Sequence, residues 1–164
     1  MIKIKSVPSV KVYICALLLL AATVFVFSNS LKGPIESGKE SGRVTEIVVD
    51  VVESVKGEVN EDEKEDIHHF VRKFAHFAEF ALLALFSMLL IISVKSPRFV
   101  HLLPYALLYG ILVAVFDEYI QSFTGRGSAV KDVLLDFSGF LFGCVFTCCL
   151  VYLVMRIKNR SATA

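Results

Sequence analysis

Four long apolar runs constrain this chain more than any other feature of its sequence. They cover about residues 12–27, 74–94, 102–120 and 133–155. At about 1.5 Å of rise per residue, runs of this length approach or reach what a helix needs to cross a hydrocarbon core of about 30 Å. A membrane β-strand needs only about 10 residues, so these lengths predict helices. We therefore predict an all-α, polytopic membrane protein with about four transmembrane helices.

The composition agrees with a membrane environment. Apolar residues make up 55% of the 164 residues, and the mean hydropathy is +0.67, which exceeds the usual values for soluble domains. The 17 Lys and Arg residues nearly balance the 16 Asp and Glu residues, and no basic patch suggests a nucleic-acid partner. We treat residues 1–164 as a single membrane domain.

The segment between the first two apolar runs, about residues 28–72, is the most polar part of the chain. It carries eleven of the sixteen acidic residues, so we predict an extracytoplasmic insert outside the bilayer. Four valines within it recur at helical spacing and predict a short amphipathic helix that lies on the membrane or on the bundle. A solvated linker is an equal alternative. These valines are Val48, Val52, Val55 and Val59.

Two local signals concern the ends of helices. The first apolar run follows three lysines within residues 1–11, as a secretory signal also would, but no Ala-x-Ala cleavage site follows Phe27. We therefore predict that the first helix is retained as a span. Asn60 is followed three residues later by Glu63, and this spacing predicts a capping box at the start of the next helix.

The distribution of basic residues predicts the orientation. Residues 1–11, 95–101 and 156–164 together contain eight of the 17 Lys and Arg residues and none of the acids. Because cytoplasmic loops are enriched in Lys and Arg, both termini are predicted to be cytoplasmic. The insert and the loop at residues 122–131 would then face outward.

The cysteines predict neither a disulfide framework nor a metal site. All of them lie inside apolar runs, where a thiol behaves as a small hydrophobe. They are Cys15, Cys144, Cys148 and Cys149.

Ionisable residues inside apolar helices are costly and need a partner or a purpose. Consecutive helices alternate in direction, so the start of the second, the end of the third and the start of the fourth lie at the same membrane boundary. The polar residues of these three segments are therefore predicted to form one cluster. The cluster comprises Arg72, Lys73, His76, Glu79, Asp117, Glu118, Gln121, Arg126, Asp132 and Asp136.

Small residues beside the cluster predict close helix packing. Asp117 shares a helical face with Gly110, and Asp136 runs directly into Gly139 and Gly143. The last two form a GxxxG spacing, whose small surface typically packs against another helix. The acids on these faces are therefore expected to point into the bundle.

Three interpretations of the cluster remain open from spacing alone. It can be an ion-pair network that holds the helices together. It can be a pocket in which Arg72, Lys73 and Arg126 hold an anionic headgroup. It can also be catalytic, with His76 or Glu79 as general base and the other acids binding a divalent ion. No metal ligand is assigned from the sequence, and the cofactor and any enzymatic activity stay undetermined.

Several ordered motifs resemble the VanZ-like family. They are Arg72 to Phe80 (RKFAHFAEF), Asp117 to Gln121 (DEYIQ), Gly125-Arg126, Asp132-Val133 and Gly139 to Gly143. The resemblance extends back to Phe27-Ser28-Asn29-Ser30 in the first span and so covers most of the chain. The sequence departs from the family pattern at Phe80, where a tyrosine is expected, and at Asn29-Ser30, where Ser-Gln is expected.

The resemblance implies a multi-pass membrane protein of the bacterial cell envelope. The family is named for a member associated with low-level resistance to teicoplanin. Binding of an outer-leaflet lipid headgroup or cell-wall precursor is therefore the expected function, together with lowered susceptibility to teicoplanin-type lipoglycopeptides. The expected partners are a membrane lipid and a lipid-linked cell-wall precursor or lipoglycopeptide. The alternative is a membrane-embedded enzyme that acts on a lipid-linked substrate.

Overall fold

The computed structural model describes residues 9–94 and 99–163 of the chain. Within these residues the secondary structure consists of helices and the turns between them. The five helices are α1 (Val10–Ser30), α2 (Pro34–Lys56), α3 (Glu61–Ser93), α4 (Phe99–Phe123) and α5 (Val130–Thr163). Part of the orientation prediction rests on Lys3, Lys5, Lys95 and Arg98, which lie outside the described residues.

Four helices, α1, α3, α4 and α5, are long and apolar enough to cross a membrane. The predicted all-α fold with four spans is thus confirmed. Large apolar side chains such as Leu17, Phe142 and Leu153 lie exposed on the outside of the bundle. A soluble protein rarely exposes apolar surface on this scale, whereas lipid is a suitable environment for it. The chain is a multi-pass membrane protein.

Helix α3 is the centre of the bundle and contacts each of the other four helices. Its buried face consists of Phe80, Leu83, Ala84 and Met88. Each of the other spanning helices contributes two buried side chains to the same core. They include Val26 from α1, Ala114 from α4, and Phe140 and Cys144 from α5.

The closest helix packing joins α3 and α5. A methyl group at Gly139 would overlap the backbone carbonyl oxygen of Phe77, and one at Gly143 would overlap that of Ala81. The predicted packing face of the GxxxG spacing is therefore present, with α3 as its neighbour. His76 and Asp136 lie just before this contact along their helices, so the close packing of α3 and α5 sets the distance between the two residues.

The start of α3 has the predicted capping box. The Asn60 side chain accepts a hydrogen bond from the Glu63 backbone N–H at 2.9 Å, and the Glu63 carboxylate accepts one from the Asn60 N–H at 3.2 Å. Two backbone donors that the helix leaves unpaired are thereby satisfied. The helix begins well before its apolar part and carries the chain from the polar insert into the bundle.

The insert forms α2, which is longer than predicted and buries a different face. It packs on α3 through Thr45, whose hydroxyl lies 3.2 Å from His68 Nδ1, and through the buried Val49. The helix ends at Gly57, whose φ of 95° suits glycine. Val59 therefore lies beyond the helix, and Val55 is 85% exposed. The segment forms a helix rather than a linker, and its valine stripe is not continuous: Val48 and Val52 are half-buried, and Val59 is buried beyond the end of the helix.

Candidate functional site

Four segments meet at one end of the bundle, which we call the site end. They are the last turn of α1, the part of α3 around His76, the last turns of α4 and the first turns of α5. The connection between α4 and α5, residues 124–129, lies over this end. Its Gly125 has a φ of 75°, a left-handed conformation that glycine adopts without strain.

Asp117 of α4 lies at the centre of the site end and is fully buried. One of its carboxylate oxygens accepts a hydrogen bond from the hydroxyl of Ser30, the last residue of α1. The other accepts one from Gln121 Nε2 at 2.6 Å. These two donors hold the carboxylate in a defined orientation.

His76 of α3 lies between a cation and two acids. Its Nε2 atom is 3.0 Å from Arg126 Nη2. On the other side of the ring, Nδ1 is 4.0 Å from Asp117 Oδ2 and 3.9 Å from Asp136 Oδ1. Both distances exceed a hydrogen bond, so the ring faces the acids without binding them directly.

Three buried polar atoms at the site end have no hydrogen-bond partner among the described residues. They are His76 Nδ1, Glu79 Oε2 and Asp136 Oδ2. Buried polar groups are normally paired, and each exception needs an explanation. A fully paired ion network, which would favour a purely structural role, is therefore not what the described residues form.

The remaining predicted residues surround this centre. Glu118 accepts a hydrogen bond from the Ala129 N–H at 3.2 Å, which ties α4 to the start of α5. Lys73 lies 3.5 Å from Asp132. Arg72 and Lys131 line the same pocket as these groups.

The main pocket of the site end has a volume of about 380 Å³ and lies between α3, the α4–α5 connection and α5. Its wall includes the four cationic side chains of Arg72, Lys73, Arg126 and Lys131. Burial and the neighbouring Arg72 lower the pKa of Arg126. An anionic ligand beside Arg126 would oppose both effects, because an opposite charge favours the charged guanidinium.

Glu79 lines a different pocket from the other acids of the cluster. It lines a smaller pocket of about 170 Å³ together with Asn29 and Lys32, and Arg72, His76 and Arg126 are shared by both pockets. Its Oε1 accepts a hydrogen bond from Asn29 Nδ2 at 2.8 Å. The structure thus brings nine of the ten predicted residues to the main pocket or its base and places Glu79 in the smaller pocket beside it.

Sequence reasoning missed Asn29 and Ser30 as site residues. Besides the contacts of their side chains, the Asn29 carbonyl accepts a hydrogen bond from Arg126 Nη1 at 3.3 Å, and the Ser30 carbonyl accepts one from Thr124 at 3.3 Å. The sequence did contain a signal for them, because these two polar residues end an otherwise apolar run.

Comparison with known proteins decides the family. The family model described as VanZ/LLP1 matches residues 13–155, which is most of the chain and includes every residue of the site described above. This chain belongs to the VanZ/LLP1 family. No curated protein and no solved structure matches it. The family match agrees with the resemblance of the polar motifs.

The site of this VanZ/LLP1 protein combines two opposite electrostatic environments. Cationic side chains form the outer wall of the pocket, which suits phosphate or carboxylate. Acidic side chains lie at its base, where His76, Asp117 and Asp136 offer ligand atoms that all lie within 4.8 Å of one another. An anion at the wall and a cation at the base are therefore the two kinds of ligand that fit.

Proposed function

We propose that this VanZ/LLP1 protein binds the anionic headgroup of a membrane lipid or of a lipid-linked cell-wall precursor in the main pocket. The observation that carries the proposal is the presence of four cationic side chains in the wall of one pocket at the site end. Arginine is well suited to this task, because its planar guanidinium can donate two parallel hydrogen bonds to a phosphate.

The size and charge of the pocket support this assignment. A volume of about 380 Å³ falls in the range of about 300 to 1,000 Å³ that is typical of small-molecule sites. Asp132 partly neutralises Lys73 at 3.5 Å. Arg72, Arg126 and Lys131 then remain to hold an anion.

The position of the pocket favours a ligand that is anchored in the membrane. The site end lies where the spanning helices pass into the polar insert and the α4–α5 connection. With both termini cytoplasmic, as we propose from the basic segments, the pocket opens at the outer leaflet. A protein that holds precursor headgroups there would lower susceptibility to teicoplanin-type lipoglycopeptides, which bind such precursors.

Lipid retention tests the binding proposal. The full-length chain in phosphatidylcholine nanodiscs is mixed with vesicles that carry either phosphatidic acid or undecaprenyl phosphate, and retained lipid is identified by native mass spectrometry. Binding of the first probe indicates a general phospholipid headgroup, and binding of the second indicates a cell-wall lipid carrier. Binding of neither would contradict the proposal.

Matched arginine variants identify the pocket as the binding site. Arg126→Gln should weaken retention by about tenfold, because a charge-assisted hydrogen bond contributes about 1.5 to 3 kcal/mol. Arg43→Gln, an exposed position on α2, should have no effect. In a teicoplanin-susceptible host, expression of the wild-type chain should raise the inhibitory concentration of teicoplanin, and the Arg126 variant should not.

A second candidate is hydrolysis of a lipid-linked phosphate. The specific observation in its favour is the pair of unpartnered atoms, His76 Nδ1 and Asp136 Oδ2, at the base of a cationic pocket. Water would attack the phosphorus atom, and the bond between phosphorus and the lipid oxygen would break. A proton would then pass to that leaving oxygen. Release of inorganic phosphate from phosphatidic acid or undecaprenyl phosphate by the purified protein measures this activity. Retention without release would leave binding as the function.

A further inference from the structure

We infer that His76, Asp117 and Asp136 form a binding site for one divalent transition-metal ion of the Mn²⁺ or Zn²⁺ class at the base of the main pocket. The inference goes beyond headgroup binding and does not depend on it. The three residues come from three different helices, α3, α4 and α5, so an ion at this point would join these helices at the site end.

The distances suit a shared ion. His76 Nδ1 is 4.0 Å from Asp117 Oδ2 and 3.9 Å from Asp136 Oδ1. Ligand atoms bound at about 2.1 Å lie roughly 3.0 to 3.4 Å apart in octahedral or tetrahedral sites. The two distances from His76 therefore need to contract by about 0.5 to 1 Å, and the three ligand atoms, which lie within 4.8 Å of one another, by up to about 1.8 Å, to enclose an ion.

Unpartnered atoms provide an independent observation. The side chain of Asp136 is only 2% exposed, and its Oδ2 has no hydrogen-bond partner among the described residues. The same holds for Nδ1 of His76. A buried carboxylate without a donor is costly, and a metal ion would satisfy both atoms together.

Charge balance points the same way. Buried or half-buried carboxylates at the site end outnumber the two arginines, Arg72 and Arg126, that line both pockets in the described part of the chain. The carboxylates belong to Glu79, Asp117, Glu118 and Asp136. Like charges in a low-dielectric environment repel strongly. A divalent cation would offset two of them.

The donor set selects the class of metal. Mg²⁺ and Ca²⁺ prefer oxygen ligands, whereas an imidazole nitrogen beside carboxylates suits Mn²⁺ or Zn²⁺. Asp117 also has outer-shell support of the kind that metal ligands usually have, since Gln121 and Ser30 donate hydrogen bonds to its carboxylate. Asp117 is thus oriented before an ion arrives.

Arg126 competes with the ion through His76. A guanidinium can only donate hydrogen bonds, so Nε2 of His76, 3.0 Å from Arg126, must accept with its lone pair. In a neutral ring the proton is then on Nδ1. A metal on Nδ1 requires the opposite tautomer. Binding of the ion therefore displaces Arg126 from the ring, and removal of Arg126 should strengthen metal binding.

Titration with Mn²⁺ tests the site. The full-length chain in phosphatidylcholine nanodiscs, first stripped of metal with a chelator, is titrated with MnCl₂, and free Mn²⁺ is followed by electron paramagnetic resonance. We expect about one bound ion per chain, displaced by Zn²⁺ but not by equal Mg²⁺. Asp136→Asn keeps the shape of the side chain and should lower the affinity by about tenfold or more.

Two further variants separate a real site from a general loss of structure. Asp66→Asn, at an exposed acid on the same helix as His76, should bind Mn²⁺ like the wild type. Arg126→Gln should bind it about tenfold more tightly, which misfolding cannot produce. Absence of Mn²⁺ and Zn²⁺ binding by the wild type, equal affinities of the Asp136 and Asp66 variants, or a preference for Mg²⁺ would each overturn the inference. None of these results depends on lipid retention, so the two proposals fail separately.

Discussion

The hydroxyl of Ser30 donates a hydrogen bond to the carboxylate of Asp117, a residue that lies 87 positions further along the chain. Both side chains are fully buried. The bond joins the last residue of α1 to the centre of the polar cluster on α4. The first helix is therefore part of the site and is more than a membrane anchor.

This contact predicts energetic coupling between the two residues. Groups in contact typically show an interaction energy of about 0.5 to 3 kcal/mol, whereas distant sites add within a few tenths. A double-mutant cycle of Ser30→Ala and Asp117→Asn should show such coupling in the free energy of unfolding in detergent micelles. As a control, Ser30→Ala is combined with Thr147→Val. Thr147 lies about 16 Å along α5 from Asp136, outside the cluster, so the effects of these two substitutions should add. Additivity in the first cycle would contradict a single connected site.

A second prediction is that α1 is retained in the mature protein. Removal of residues up to Ser30 would take away one donor of Asp117, Ser30, and the donor of Glu79, Asn29. Two buried carboxylates would lose partners at a cost of about 1 to 3 kcal/mol or more each. The intact mass of the protein purified from membranes measures the outcome. A mature chain that begins near Leu31 would show that α1 is a cleaved signal.

A third prediction concerns the packing of α3 against α5. Gly139→Ala should lower the free energy of unfolding by about 1 to 3 kcal/mol, because the new methyl group meets the backbone carbonyl of Phe77, which cannot rotate away. Gly42→Ala on α2 is the matched control, since a methyl there meets nothing within 4 Å. Alanine has a better helix propensity than glycine, so Gly42→Ala should raise the free energy of unfolding by up to about 1 kcal/mol. Equal effects of the two substitutions would refute the close contact.

The fourth prediction is the orientation in the membrane. In a variant without the four native cysteines, Ser54→Cys on α2 should react with a membrane-impermeant thiol reagent added to intact cells. Ser161→Cys near the end of α5 should react only after permeabilisation, because basic segments stay in the cytoplasm. Both positions are exposed in the structure. The reverse pattern of labelling would invert the topology.

The spans and the start of α3 could be predicted because their signals are local. Hydrophobicity within one helix predicts a span, and the capping box depends only on Asn60 and Glu63. The spacing of Gly139 and Gly143 likewise predicted a packing face, although it did not name α3 as the neighbour. Each of these features depends on residues within a few turns of one another.

Features that depend on the packing of distant segments could not be predicted in the same way. Asn29 and Ser30 were visible as polar residues, but their partners lie 50 and 87 positions away. Helical phase placed Glu79 on the same stripe as His76, yet Glu79 lines the smaller pocket, and Arg126 lines both pockets. Arg126 belongs to residues 124–129, whose conformation no periodic pattern predicts.

The unpartnered oxygen of Asp136 also bears on biogenesis. If the helices enter the bilayer in chain order, Asp117 arrives with Gln121 on its own helix and finds Ser30 already in place. Asp136 arrives on the last helix, and its neighbour His76 becomes available only when α5 docks against α3. Docking removes this acid from lipid, so relief of its insertion cost comes only at the end of assembly, and its Oδ2 still has no partner among the described residues. Chains truncated within α5 would then expose acidic groups of the cluster to lipid, and this exposure would distinguish incomplete chains from finished ones for membrane quality control.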